Sequence, residues 1–223
     1  MVFKINDLEA FDSEEGVNDF GLIGQSRISD GSANTDFQDN VLIYNENFGR
    51  AIDTTDEWTE ALAGVSTKAQ TGGILTLTGG PLLNDFISEK NNGFIVNVAG
   101  KSKKIRLKMR MKYSANICYF GFQSITNYVL YFIKGGATTW NGYIMDEDTN
   151  EYTTVNFSVS KNVYHDWEII FNSNRADFYV DGVLVGFLNG NISVADTNLI
   201  LLSGQSNVMD IDYVRVWEAV VPK

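Results

Sequence analysis

From about residue 41 onward, short apolar and β-branched runs alternate with polar positions and are cut apart by Gly, Asn, Asp and Ser. The clearest is KIRLKMRMKY (104–113). There Ile105, Leu107, Met109, Met111 and Tyr113 fall on one face, and Lys104, Arg106, Lys108, Arg110 and Lys112 on the other. A period of two held over that length predicts a half-buried strand. GGILTLTGGP (72–81) and GFIVNVAG (93–100) predict strands bracketed by glycine. ICYFGFQS, NYVLYFIKGG, WNGYIM and YTTVNFSV follow, and LILLSG and VMDIDYVRVW close the set. Within DWEIIFNSNRADFYVDGVLVGFL, NSN and DG predict two hairpin turns, because Asn, Asp and Gly tolerate positive φ. Roughly a dozen strands result, with a single helical turn expected near DEWTEALAG. Neither Pro81 nor Pro222 interrupts a strand. The pattern predicts an all-β protein, a two-sheet antiparallel β-sandwich or jelly roll.

Residues 1–40 lack that pattern. They carry nine acids against Lys4 and Arg27, mixed with Gly, Ser and Asn. The expected division is an acidic N-terminal arm over 1–40, a sandwich domain over 41–219 and a tail over 220–223. The 223 residues suffice for one large β domain, and 44% hydrophobic content can fill its core. No run approaches the ~20 apolar residues that span a bilayer, so no membrane insertion is expected. MVFKINDLEAFDSEEG shows no apolar h-region, so no signal peptide is visible. Cys118 is the only cysteine, which excludes an internal disulfide framework and reads as a small core residue. His165 is the only histidine, so any Ser–His–Asp triad must use it. A net charge of −11 argues against nucleic acid as a partner.

Three stretches, in order, carry a family likeness. YNENFGRAIDTTDEW (44–58), YHDWEIIFNSNRADFYVDGVLV (164–185) and IDYVRVW (211–217) resemble the opening, middle and closing segments of laminarinase- and lichenase-type β-glucanases. The resemblance spans about 43–217 and implies the concanavalin-A-like jelly roll that those enzymes share with legume lectins and laminin-G-type modules. It makes Phe48 and Trp58 core anchors and has His165 order a strand end. It also makes Asp212, with Glu46 as a weaker neighbour, a candidate for a structural calcium. For Asp212 the alternative is a strand-edge residue capping a local turn.

Retaining glycosidases need two facing carboxyls, and the resembled family draws them from one strand as Glu-x-Asp-x-(x-)Glu, where alternate residues share a face. None of the eleven Glu here is followed by Asp two places on. MDEDTNEY (145–152) comes nearest, with Glu147 and Glu151 around Thr149, but reads as a rim turn. Its Asp146, Asp148 and Asn150 are spaced for calcium, although the glycine and the closing bidentate Glu of a calcium loop are missing. ICYFGFQS and NYVLYFIKGG, expected to line the cleft, hold no carboxylate. No catalytic residue is therefore assigned.

Sugars stack on aromatic faces flanked by amides. Trp140, Tyr143, Tyr128 and Tyr119 are the candidate glycan contacts, with Trp140 and Tyr143 expected to be the most exposed. The cationic face of 104–112 repels itself and calls for a facing anion: the acidic arm of the same or a neighbouring subunit, an anionic glycan or an acidic partner. The expectation is a non-catalytic structural or adhesive module, a homo-oligomer or a partner of virion shell proteins, with carbohydrate as a possible ligand. It would stand on a virion surface (capsid decoration, fibre or tail) or outside the cell after lysis. The alternatives are a glycoside hydrolase with displaced carboxylates and a stand-alone calcium-dependent lectin.

Overall fold

The structure, a computed structural model, describes residues 40–220 except 50–57, 83–85, 97–102, 115–116, 125–127, 135–138, 146–151, 173 and 191–196. Residues 1–39 of the expected arm lie outside these residues, and Asn40, its last, opens a strand. The described chain forms fifteen strands: β1 (Asn40–Glu46), β2 (Trp58–Leu62), β3 (Thr67–Thr71), β4 (Ile74–Thr78), β5 (Phe86–Val96), β6 (Lys103–Tyr113), β7 (Ile117–Ser124), β8 (Tyr128–Lys134), β9 (Thr139–Met145), β10 (Tyr152–Ser158), β11 (His165–Phe171), β12 (Arg175–Val180), β13 (Val183–Asn189), β14 (Thr197–Gly204) and β15 (Val208–Val220). The helical turn expected near DEWTEALAG is instead strand β2. Its five residues pair with Asn91–Ile87 of β5, and that lateral pairing overrides the local sequence preference.

Two antiparallel sheets form. One runs β13-β12-β11-β6-β15-β4-β3, with β1 also paired to β15; the other runs β10-β9-β8-β7-β14-β5-β2. β6 sits near the middle of the first sheet, and its inward face is as read from the alternation: Ile105, Leu107, Met109, Met111 and Tyr113 are all buried. β15 begins the same way with Met209 and Ile211 inward, but then Val214 and Val216 face the core. A register shift between Ile211 and Tyr213 inserts Asp212 as an extra residue and flips the alternation.

The sheets meet closely. A Cβ on Gly142 of β9 would lie 2.7 Å from the Phe178 ring of β12, so only glycine fits there. Phe48 and Trp58 are core residues, as the resemblance implied, and Cys118 is a buried free thiol. The DG turn joins β12 to β13 with both Asp181 (φ 51) and Gly182 (φ 74) in the left-handed region, as the hairpin reading required.

Candidate functional site

The outward face of the seven-stranded sheet is the first candidate. Register places Leu202, Tyr119, Ile133, Asn141 and Asn156 in one row across β14, β7, β8, β9 and β10. The adjacent row is Ile200, Gly121, Tyr131, Tyr143 and Thr154. Tyr119, Gln123, Asn141 and Tyr143 are half-buried, and Thr154 and Asn156 are exposed. This is an aromatic and amide surface with the chemistry to stack on and hydrogen-bond a sugar. Among the described residues on these rows there is no carboxylate.

Two of the four glycan candidates thus share this face, Tyr119 and Tyr143. Trp140 does not. It is fully buried, pairs in register with Phe157, and packs its ring 4.4 Å from that of Trp167 and 5.0 Å from that of Tyr113. The turn residues next to it in sequence suggested exposure, but alternation from Thr139 points the indole inward. Tyr128 lies on β8, whose side chains are outside the described residues.

The outward face of the other sheet explains the cationic strand. Arg106 donates to Glu168 through Nε (2.6 Å to Oε1) and Nη2 (3.1 Å to Oε2). Lys108 lies 3.7 Å from Asp166, Arg110 3.4 Å from Asp212 and Lys112 2.9 Å from Asp210. Asp210 also accepts from Thr76 Oγ1 at 2.7 Å, and the Tyr213 hydroxyl donates to Asp166 at 3.2 Å. The Lys104 side chain is outside the described residues. The anions that the sequence reading sought on an arm or partner are therefore on the flanking strands β11 and β15, invisible before register was known.

Asp212 and Glu46, the calcium candidates, are drawn into other work. Asp212 faces the Arg110 guanidinium, and Glu46 Oε1 accepts the N–H of Phe48 at 2.7 Å, holding that residue at φ 53. A guanidinium at the Asp212 carboxylate does not suit a hard cation, and no group of three His, Cys, Asp or Glu gathers among the described residues. The acidic run 146–150 is outside them.

Four tyrosines and one lysine in or beside this sheet hold their protons more tightly than usual. Burial, then the Asp166 charge, holds the Tyr213 phenol far above its ordinary range. Burial likewise raises Tyr113, Tyr164 and Tyr179, and the hydrogen bond to Asp210 raises Lys112. Each group holds its proton more tightly folded than unfolded. Its contribution is complete below the unfolded pKa of about 10 and is lost as pH rises through the folded value. Calorimetry should show a melting temperature that is flat from about pH 8 to 9.5 and falls steeply above about 10. Tyr213→Phe should flatten part of that fall; an unchanged slope would remove Tyr213 from the account.

No family model and no curated protein matches the chain. Solved structures do. The endo-β-1,3-glucanase from Pyrococcus furiosus is 13% identical, over 82% of this chain and 96% of that one, with a TM-score of 0.59. A β-1,3-1,4-glucanase (lichenase) from a mouse hindgut metagenome is 14% identical over 78% and 97%, with a TM-score of 0.60. The Bacillus licheniformis β-glucanase is 17% identical over 78% and 96%, with a TM-score of 0.58. The fold is thus the concanavalin-A-like jelly roll of the laminarinase and lichenase β-glucanases.

These likenesses correct two expectations, that the chain is no enzyme and that it is a non-catalytic module of a virion surface. The three structures named above, matched over 78–82% of this chain, are β-glucanases; that likeness favours the glycoside hydrolase alternative and lends nothing to a virion, capsid-decoration or structural role. The reason for the error is physical. A missing Glu-x-Asp-x-x-Glu tests one strand, whereas two carboxyls brought together from separate segments leave no local signature.

Proposed function

We propose that this protein is a glycoside hydrolase of the β-glucanase type, cleaving within a β-1,3- or mixed β-1,3-1,4-linked glucan. The observation that carries this reading is the match of the whole sandwich to endo-glucanases over nearly their full length. Tyr119, Tyr143, Asn141, Asn156 and Gln123 supply stacking and amide contacts for the chain of sugars. Neither β7 nor β8 contains Asp or Glu; the carboxyls nearest this face in the chain are Glu60 of β2, Glu89 of β5 and those in the connections around the sheet. Glu147 and Glu151, in the connection between β9 and β10, are the candidates nearest in sequence to its aromatic rows. The chemistry needs one carboxyl protonated at the leaving oxygen and the other ionised on the opposite side, about 5–5.5 Å away for retention and about 6.5–9.5 Å for inversion.

The test is release of reducing ends from laminarin and from barley mixed-linkage glucan. Turnover by the wild type, cut by about a thousandfold or more in Glu147→Gln or Glu151→Gln, is the expected result. A folded wild type that releases no reducing ends from either polymer would overturn the reading. Turnover that survives both substitutions would move the carboxyls elsewhere.

A further inference from the structure

We propose that Ser160, His165 and Asp181 form a nucleophilic acyl-transfer site, on a different part of the sandwich from the sugar-facing rows, that takes a small carboxylic ester. His165 Nδ1 lies 2.6 Å from Asp181 Oδ2, and His165 Nε2 lies 2.9 Å from Ser160 Oγ. The order of contacts is nucleophile, base, orienting carboxylate, at hydrogen-bond length throughout.

Each member is held from a separate direction. Asp181 stands at the left-handed first position of the β12–β13 turn. Its Oδ1 accepts the N–H of Asp166 at 2.9 Å, while its own N–H donates to the Asp166 carbonyl at 2.8 Å. That fixes Oδ2 toward the imidazole. His165 opens β11, its side chain 11% exposed and its ring set edge-on to Trp167 at 6.2 Å. Ser160 is exposed just beyond β10, in a segment clamped on both sides by Tyr113. The Tyr113 hydroxyl donates to the Val159 carbonyl at 2.6 Å, and the Asn162 N–H donates to the Tyr113 carbonyl at 2.8 Å.

The proton inventory suits a general base. In the tautomer with the ring proton on Nδ1, that proton faces the Asp181 carboxylate and Nε2 accepts the Ser160 hydroxyl. Once Nε2 is protonated, the Ser160 carbonyl at 3.1 Å is a second acceptor ready to hold it. In the forward step Oγ bonds to the acyl carbon, its proton passes to Nε2, and the carbonyl π electrons move to oxygen. Collapse re-forms the carbonyl and breaks the bond to the alcohol oxygen, which takes the proton from Nε2. Water then repeats both steps, releasing the acid and restoring Ser160. The Lys161 N–H, next in the chain to the nucleophile, is the main-chain donor assigned to the oxyanion in this proposal. Ser160 faces open solvent, which suits a small acyl group.

The experiment exposes the full-length protein to a fluorophosphonate probe, maps the adduct by peptide mass spectrometry, and follows p-nitrophenyl acetate hydrolysis in parallel. The adduct is expected on Ser160. Ser160→Ala should abolish it and lower ester turnover at least about a hundredfold, and Asp181→Asn and His165→Gln should each slow labelling by a similar factor. The histidine and aspartate also tie strand ends together, so their variants can lose folding. Ser160→Ala is exposed, keeps the carbonyl, and is decisive at an unchanged melting temperature. A folded wild type left unlabelled at Ser160, or a Ser160→Ala variant as active on the ester as the wild type, would overturn the proposal. Glucan cleavage is scored separately and should be unaffected by Ser160→Ala.

Discussion

Trp167→Ala is expected to cost about 4 kcal/mol of unfolding free energy, within the range seen when a large aromatic is cut from a core. Trp167 is fully buried on β11 between Met109 of β6 and Val180 of β12. Its ring meets Trp140 at 4.4 Å, Phe120 at 5.7 Å and Tyr113 at 6.4 Å, so one truncation opens contacts to both sheets. Its indole N–H donates to the Met111 carbonyl at 3.3 Å, and the alanine leaves that acceptor with one partner fewer. Trp167→Phe should keep part of the packing and lose about half as much. Urea unfolding followed by far-UV circular dichroism gives both numbers. A loss below about 1 kcal/mol for the alanine, at unchanged m-value, would mean that the aromatic cluster is not the centre of the core.

Glu168→Ala is expected to cost about 3 kcal/mol, at the low end of the range for breaking a largely buried ion pair. The side chains of Arg106 and Glu168 are only 11% and 10% exposed, and the guanidinium also lies over the Trp217 ring at 5.3 Å. Removing the carboxylate takes from Arg106 a charge partner that water can barely replace. The contrast is Asp212→Asn. Its pair with Arg110 is 48% and 43% exposed, and its loss should cost less than about 1 kcal/mol. Equal effects from the two substitutions would show that burial does not set the worth of these pairs. Replacing both Arg106 and Glu168 by apolar residues should recover much of the loss, since no charge then has to be held out of water.

The two strands that carry these charges differ in how far they could be read. β6 was legible because its alternation runs unbroken, so every inward residue follows from its neighbour. β15 was not: counting by two from Met209 and Ile211 turns Tyr213 and Arg215 inward, whereas the bulge at Asp212 puts Val214 and Val216 there. The cations themselves were obvious, but their partners were not. Arg106 and Glu168 are 62 residues apart in the chain and meet only because β11 lies beside β6.

The candidate sites divide in the same way. Tyr119 and Tyr143 could be named from aromatic content, and the turn residues beside Trp140 misplaced it because proximity to a turn says nothing about which face a strand residue takes. Ser160 carried no signal at all. It is an unremarked serine five residues before the only histidine, and Asp181 was read only as a turn former. The absence of one catalytic signature was given more weight than it could bear, since it excludes a single-strand arrangement and nothing more.

By itself, then, the chain determined the β-sandwich, the inward face of β6, the hairpin at Asp181–Gly182 and the likeness to the glucanase jelly roll. Those features depend on period, turn chemistry and short segments, which act between residues close in sequence. Only the tertiary structure decided where Trp140 lies, which acids neutralise the cationic strand, and which hydroxyl and carboxylate flank His165. Those depend on lateral register between strands, and register is set by how whole faces bury together and not by any one segment.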